Sequence, residues 1–232
     1  MERKEKLNLS MLFDFYEMTM ANGYFRQGLQ DRITYFDVFF RRVPDGGGYA
    51  IAAGLEQLVD YIRDLHFDEE DIAYLRSKGL FEEDFLDYLR TFRFTGDIWA
   101  VPEGTPVFPH EPLITVRAPA AQAQLIETYA LLCVNHQSLI ATKASRLIRA
   151  AQGRVILEFG SRRAQGVDGA VVGARVSMGR PVLSATRSTA CPLQAPWPTP
   201  GCRCSPPSTR LSKPTARSIP TMPFCWWTPT TR

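Results

Sequence analysis

The amino-acid sequence predicts an α/β fold, in which helices and strands alternate along the chain. Residues 33–41 are rich in β-branched and aromatic side chains, which is typical of a buried strand. Residues 120–152 contain neither glycine nor proline, which indicates helix. The short apolar run at residues 155–159 follows this helix, and a loop with two glycines follows the run. Helix, buried strand and glycine-containing loop, in that order, open an α/β unit.

The first half of the chain shows further helical patterns. Residues 8–29 predict a helix with an aromatic face. Apolar residues recur at helical spacing between Ile51 and Leu65. Asp68 is followed directly by acidic residues, as at the start of a helix, and residues 81–89 predict another short helix.

Two later segments complete the order of elements. Residues 94–118 carry short apolar runs separated by glycine and proline, which predicts short strands joined by tight turns. The segment 120–152 is long enough for two helices, and Gly153 is expected to end the second.

The composition is that of a globular protein. Hydrophobic residues make up 45% of the 232 residues and charged residues 22%. No apolar run approaches the ~18 residues of a membrane span, and the charged start has no apolar core for a secretory signal. We therefore expect a cytoplasmic protein that does not enter a membrane.

The charge is divided unevenly along the chain. Residues 1–168 carry 19 Lys and Arg against 24 Asp and Glu, whereas residues 169–232 carry 8 Lys and Arg and no acid. Residues 179–232 also hold 11 of the 17 prolines and four of the five cysteines. A basic arm for an anionic partner is one interpretation, but the charges are scattered rather than clustered, and we expect no nucleic acid partner. No C-x-x-C pair or histidine accompanies the cysteines, so no metal site is expected.

The loop after residues 155–159 is the candidate anion site. Ligands collect at the carboxyl ends of strands in α/β folds, and Arg162 and Arg163 lie in this loop. The planar guanidinium group suits phosphate or carboxylate, and Phe159 could stack on a flat ring. The alternative is a surface loop with solvated arginines. Tyr16 has two interpretations as well, a core aromatic residue or a ligand contact.

Five stretches of the sequence resemble the nicotinate phosphoribosyltransferase family, in the family's order. The resemblance as a whole covers about residues 8–176 without a gap, and together the five stretches are specific although each alone is weak. The stretches are DFYEMTMANGYF (14–25), FDVFFRRVPDGGGYAIAAGLEQLVDYI (36–62), FTGDIWAVPEGTPVFPHEPLITV (94–116), QLIETYALLCVNHQSLIATKASRL (124–147) and EFGSRRAQGVDGA (158–170).

The resemblance implies an activity and a fold. The family joins nicotinate to phosphoribosyl pyrophosphate, forming nicotinate mononucleotide for NAD biosynthesis with hydrolysis of ATP, for which Mg²⁺ is expected. Its fold is an N-terminal α/β domain followed by an irregular α/β barrel of the type II phosphoribosyltransferase kind, usually in a homodimer with shared active sites. By resemblance, Tyr16 contacts the nicotinate ring across the dimer, Phe159 faces the same ring, and Arg162 and Arg163 hold phosphate or carboxylate. A related alternative is a phosphoribosyltransferase for nicotinamide or quinolinate.

Two later hallmarks of the family are absent as written. One is a loop of the form G-T-x-A-H-S-W, whose histidine is phosphorylated by ATP, and the other is a strand ending L-V-D-T-Y-D. Both hallmarks can be read from the codons of this sequence when the reading frame is shifted by one base. The codons of Phe224-Cys225-Trp226-Trp227-Thr228, regrouped by one base, encode Leu-Leu-Val-Asp whatever the codon usage. Regrouped codons 194–202 allow Gly-Thr-Met-Ala-His-Ala-Trp-Val.

We therefore expect a shifted reading frame that begins between about codons 174 and 194. This gives an N-terminal α/β domain at 1–118, the beginning of the barrel at 119–178, cut short, and a non-native, disordered tail without a stable core at 179–232. In this frame the chain has no catalytic histidine of the family, so we expect the 232-residue polypeptide to be inactive. The alternative is a non-catalytic dimerising or binding protein with a basic anion-binding tail.

Overall fold

The described part of the chain contains both helices and strands, in agreement with the predicted mixture of the two. The structure, a computed structural model, describes residues 8–43, 46–154, 156, 160–177 and the backbone of 225–229. The helices are α1 (Phe15–Arg26), α2 (Leu55–Asp64), α3 (Glu69–Ser77), α4 (Glu83–Arg90), α5 (Ala120–Gln124), α6 (Glu127–Ala151) and α7 (Gly166–Ser177). The strands are β1 (Ile33–Phe40), β2 (Ala50–Ile51), β3 (Asp97–Ala100), β4 (Pro106–Val107), β5 (Ile114–Pro119) and β6 (Cys225–Pro229).

The main sheet has the strand order β3-β5-β1-β6, and its neighbouring strands are antiparallel. Strand β1 pairs with β5 from Ile33 opposite Pro119 to Val38 opposite Ile114. Side chains alternate across the pleat, so that Phe36, Val38 and Phe40 are buried on one face. The predicted strand at residues 33–41 is therefore confirmed, and its β-branched and aromatic residues fill the core.

Three predicted helices are confirmed in the segment 51–90, with shifted ends. Helix α3 begins where the acidic run predicted, because Asp68 forms a capping box. Its side chain accepts hydrogen bonds from the backbone of Glu70 and Asp71, at 2.9 Å each, while the Asp71 side chain accepts from the backbone of Asp68. The pKa of Asp68 is lowered, chiefly by the hydrogen bond with the backbone of Asp71.

Helix α1 is shorter than the predicted helix at residues 8–29. Before Phe15, side-chain oxygens form hydrogen bonds with backbone N–H groups, in place of the bonds that a helix would make. The Asn8 side chain accepts a hydrogen bond from Ser10 N at 2.9 Å, and the Ser10 hydroxyl accepts from His66 N at 3.0 Å. Met18 and nearby small residues of α1 face the core, while Phe15 and Tyr16 lie half exposed on its other side.

One principal apolar core joins α1 to α6 and the main sheet. It contains Phe85, Leu58 and Phe40, and also Ile126 and Val134, which come after the boundary predicted at residue 118. The division into domains at 118 and 178 stays a prediction. Among the described residues, no helix combines the length and the apolar character needed to cross a membrane.

Helix α6 covers one edge of the short strand β2. The other edge of β2 pairs with β4. On the α6 side, Ile51 N donates to the Thr142 hydroxyl at 2.8 Å, and Ala53 N donates to the Ser138 hydroxyl at 3.0 Å. Gly54 follows with a φ of +106°, and a Cβ added there would lie 2.6 Å from Cys133 O. A glycine is required at this position because its backbone touches that of the helix.

Two predictions concern parts of the chain where the description is partial. The predicted strand at residues 155–159 lies almost wholly outside the described residues. Strand β6 differs from the expectation of a tail without structure, since residues 225–229 pair antiparallel with β1. The side of β1 that faces away from β5 is open to another strand, and a run of β-favouring residues can pair there whatever its origin. For the rest of the tail, the expectation stays a prediction.

Candidate functional site

A buried glutamate fastens the start of α1 to the start of α6. Glu17 is fully buried, and its Oε1 accepts hydrogen bonds from the Thr128 backbone N at 3.1 Å and from the Thr128 hydroxyl. The same hydroxyl accepts from Asp14 N at 3.3 Å. Thr128 therefore links two successive parts of the α1 segment to the first turn of α6.

Tyr16 and Glu127 lie beside this link. The Tyr16 side chain is 45% exposed, and the charge of Glu127 acts on its hydroxyl. Glu127 accepts a hydrogen bond of 2.7 Å from Gln124 Nε2, and Gln124 is buried. Burial and then the charge of Glu127 raise the pKa of Tyr16, so its phenol is neutral at physiological pH. A neutral, half-exposed ring is able to stack on a flat ligand.

Two stacked tyrosines lie near the corner where the start of α1 meets the start of α6. The rings of Tyr61 and Tyr129 are 3.8 Å apart between centroids, with an interplanar angle of 11°. Burial raises the pKa of both, and the Cys133 thiol beside Tyr129 has its pKa raised to about 12 by burial. The Tyr61 hydroxyl and Glu17 Oε2 are buried without a hydrogen-bond partner in the described part of the chain. The interior of this corner therefore holds polar groups in an apolar surrounding.

The predicted anion loop forms an exposed turn. Gly160 is followed by a short 3₁₀ helix, Ser161–Arg163, in which Arg163 N donates to Gly160 O at 2.8 Å. Arg162 and Arg163 are both exposed, and α7 begins after them at Gly166. Phe159 lies outside the described residues. The structure thus presents two adjacent guanidinium groups to solvent, which suits both the anion site and the alternative of solvated arginines.

Helix α7 packs against α6. Gly173 of α7 lies beside Ile140, and Arg175 donates to Gln137. The arginine turn therefore leads directly into a helix that packs on α6.

A buried arginine holds the other end of α7. Arg175 is 12% exposed and donates to the Glu56 carboxylate, to Gln57 Oε1 at 2.7 Å and to Gln137 Oε1. Its guanidinium also lies 3.5 Å from Glu103 Oε1, an oxygen that accepts from the first backbone N–H groups of α2. Arg175 therefore joins α7 to α2, α6 and the loop after β3.

Sequence reasoning missed Glu17, Thr128 and Glu127. A signal for Glu17 exists, because it shares a helix face with the buried residues Met18 and Ala21. A charged residue on the apolar face of a helix needs a buried partner. The partner itself could not be found from spacing, since Thr128 is 111 positions away.

We expect the buried Glu17 carboxyl to make stability depend on pH. Burial raises its pKa from 4.5 to about 8, although the Thr128 hydroxyl opposes this. Because the folded state then binds the proton more tightly than the unfolded state, the carboxyl contributes its full stabilisation when the pH is below the ordinary pKa of 4.5. That contribution is lost as the pH rises toward about 8. The loss approaches a slope of about 1.4 kcal/mol per pH unit.

Thermal unfolding of the chain and of Glu17→Gln between pH 5 and pH 9 measures this dependence. The stability of the original chain relative to the variant should fall from pH 5 to pH 8 and level off above. The exposed glutamate Glu70 provides the matched control, because Glu70→Gln should keep the original dependence. Parallel curves for the chain and Glu17→Gln would contradict the assignment.

The comparisons with known proteins agree on one family. Residues 11–135 match the model of the nicotinate phosphoribosyltransferase (NAPRTase) N-terminal domain. The nicotinate phosphoribosyltransferase pncB2 of Mycobacterium tuberculosis is 45% identical over 168 residues, which are 72% of this chain and 36% of the relative. The nicotinate phosphoribosyltransferase of Bacillus subtilis is 44% identical over 171 residues, covering 74% of this chain and 35% of the relative.

Solved structures show the same likeness. The crystal structure of human nicotinic acid phosphoribosyltransferase matches with a TM-score of 0.67 and 38% identity, over 72% of this chain and 34% of that one. A nicotinate-nucleotide pyrophosphorylase from Pyrococcus furiosus shares the fold at 18% identity, with a TM-score of 0.55 over 75% of this chain and 38% of that one. The chain spans about a third of the length of the curated relatives it matches.

Proposed function

Because the chain belongs to the nicotinate phosphoribosyltransferase family, we propose that residues 8–177 are the amino-terminal part of an enzyme that makes nicotinate mononucleotide. Its substrates are nicotinate and phosphoribosyl pyrophosphate, and its product enters NAD biosynthesis. The observation that carries the proposal is the family match at residues 11–135, with relatives at 44% and 45% identity.

Each proposed site residue has a role that its side-chain chemistry supports. Nicotinate is a flat ring with a carboxylate, and phosphoribosyl pyrophosphate carries phosphates. Tyr16 and Phe159 would hold the ring by stacking. Arg162 and Arg163 would hold the anionic groups with their planar forks and stabilise the charge that develops on the leaving pyrophosphate. The exposure of both guanidinium groups in the turn before α7 supports this division of roles.

ATP and Mg²⁺ belong to the proposal only for a longer enzyme. In the described part of the chain, no group of three or more His, Cys, Asp or Glu side chains suits a metal ion. Mg²⁺ commonly binds through substrate phosphates with one or two carboxylates, so it would arrive with the phosphorylated substrates. The roles proposed for Tyr16 and the arginines therefore do not depend on either group.

We assign the activity to the product of the restored reading frame. The 232-residue chain lacks the two later hallmarks, and acidic residues are absent after Asp168. In the restored chain the α/β barrel would continue past α7. Leu12, just before α1, and Phe15 and Met20, in the first half of α1, are exposed apolar side chains, and they suit the contact surface of a homodimer.

A one-base correction between codons 174 and 194 tests the assignment. The corrected product and the 232-residue chain are assayed with nicotinate, nicotinamide and quinolinate, with phosphoribosyl pyrophosphate and MgATP present. We expect nicotinate mononucleotide only from the corrected product and nicotinate, and light scattering should give the mass of a dimer. Activity of the 232-residue chain would overturn the inactivity, and a corrected product that is soluble but inert would overturn the function.

A further inference from the structure

The first turn of α1, which carries Tyr16, is held by one residue of another helix. Glu17 Oε1 accepts hydrogen bonds from the Thr128 backbone N at 3.1 Å and from the Thr128 hydroxyl, and that hydroxyl accepts from Asp14 N at 3.3 Å. Tyr16 therefore lies between two positions that are both bonded to Thr128, and we call these three bonds the Thr128 clamp. Resting on the function proposed above, we propose that Glu17 and Thr128 are positioning residues, which hold the Tyr16 ring where it meets nicotinate.

This turn depends on the Thr128 clamp because its own N-cap residue does not cap it. In the described part of the chain, the Asp14 side chain makes no hydrogen bond with the first N–H groups of α1. These N–H groups have no partners within the helix, so a first turn without a cap opens readily. The bonds from Thr128 replace the missing local cap with a contact between two helices.

The Thr128 clamp lies on the buried side of α1, whereas the Tyr16 ring lies on the exposed side. Glu17 is fully buried, and the Tyr16 side chain is 45% exposed, so the position of the ring follows that of the backbone. If the turn opens for part of the time, the apparent affinity for nicotinate falls with the closed fraction. Because the restraint acts before and during the reaction, its loss should raise KM for nicotinate and leave kcat nearly unchanged.

Substitutions in the corrected enzyme, assayed where every variant is folded by circular dichroism, test the role. Glu17→Ala and Thr128→Val each remove bonds of the Thr128 clamp and are each expected to raise KM for nicotinate about tenfold. KM for phosphoribosyl pyrophosphate should change less than about twofold. Glu17→Gln and Thr128→Ser should keep KM for nicotinate near its original value, because the amide oxygen accepts the same bonds and the serine hydroxyl makes them.

A second buried pair provides the matched control. Gln122 is 8% exposed, and its Oε1 accepts from Thr95 N at 2.8 Å and from the Thr95 hydroxyl at 3.2 Å. The donors and the acceptor are of the same kind as those between Thr128 and Glu17, but this pair joins α5 to the segment before β3. Thr95→Val should therefore lower the stability as Thr128→Val does, and leave KM for nicotinate within about twofold.

The Tyr16→Ala enzyme separates positioning from a general effect on the fold. Without the ring, Thr128→Val should change kcat/KM for nicotinate less than about twofold. An equal loss in both backgrounds would overturn the proposal, and so would an unchanged KM in both Glu17→Ala and Thr128→Val. If the corrected enzyme is inert in every version, the proposed function fails instead.

Amide hydrogen exchange in the 232-residue chain tests the Thr128 clamp without any activity. Thr128→Val should speed the exchange of the Asp14 and Glu17 amides, because the turn that holds them opens more often. The Ile72 amide, which donates to Asp68 O at 3.0 Å in α3, should keep its rate. Unchanged exchange at Asp14 and Glu17 would overturn the positioning role whatever the enzyme assays give.

Discussion

Replacing Arg162 with alanine in the corrected enzyme is expected to lower kcat/KM about 100- to 1,000-fold. Arg162 lies in the 3₁₀ turn before α7, with its side chain exposed. A guanidinium group that pairs with phosphate or carboxylate through two parallel hydrogen bonds is not replaced by water, because its charge and fork geometry are both lost. Steady-state kinetics with nicotinate and phosphoribosyl pyrophosphate varied in turn measures the change.

Two variants separate a ligand role from a general loss of charge. Arg154→Ala removes an exposed arginine between α6 and the turn and should leave kcat/KM unchanged. Arg162→Lys keeps the charge without the fork, and it should be intermediate. If Arg162→Ala retains full activity, the turn is a solvated surface loop, which is the alternative that the sequence left open.

Replacing Arg175 with alanine is expected to destabilise the 232-residue chain by about 3–5 kcal/mol. The arginine is 12% exposed and donates to Glu56, Gln57 and Gln137. Burial raises the pKa of Glu56 even though Arg175 opposes this shift. Removing the arginine leaves the Glu56 and Glu103 carboxylates near each other without their cation. Such uncompensated charges, when largely withdrawn from water, strongly lower the free energy of unfolding.

Urea unfolding measures this effect, with Arg76→Ala as the matched control. Arg76 makes a two-bond ion pair with Glu83 at 2.7 Å on the surface, so its removal should change the midpoint little. Equal shifts for the two variants would contradict the assigned role of Arg175. Since Arg175 holds α7 behind the arginine turn, the same change in the corrected enzyme tests whether that anchoring matters for activity.

The elements predicted best were those whose signals are local. Strand β1 carries its own β-branched residues, α3 its own capping box at Asp68, and α5 and α6 a long stretch free of glycine and proline. Helix α1 was predicted too long, because the Ser10 hydroxyl binds the backbone of His66, 56 positions away. A pattern within one segment cannot show a hydrogen bond that another segment supplies.

The candidate site divides in the same way. Tyr16 and Arg162 could be proposed from the sequence because they lie in motifs that resemble a family. The pairing of Glu17 with Thr128 could not, since it depends on the first turn of α6 meeting α1 across more than 100 positions.

The cover that α6 places over β2 has a consequence for self-association. An open strand edge offers its amide groups to any other extended chain, and this is a common start of aggregation. The N–H group of Ile51 in β2 and that of Ala53 just after it are already bonded to the hydroxyls of Thr142 and Ser138, so neither N–H group is free to pair with another strand. Strand β3, the last in its sheet on one side and carrying the half-exposed Trp99, has no such cover among the described strands. Aggregation through strand pairing would therefore start at β3 and not at β2.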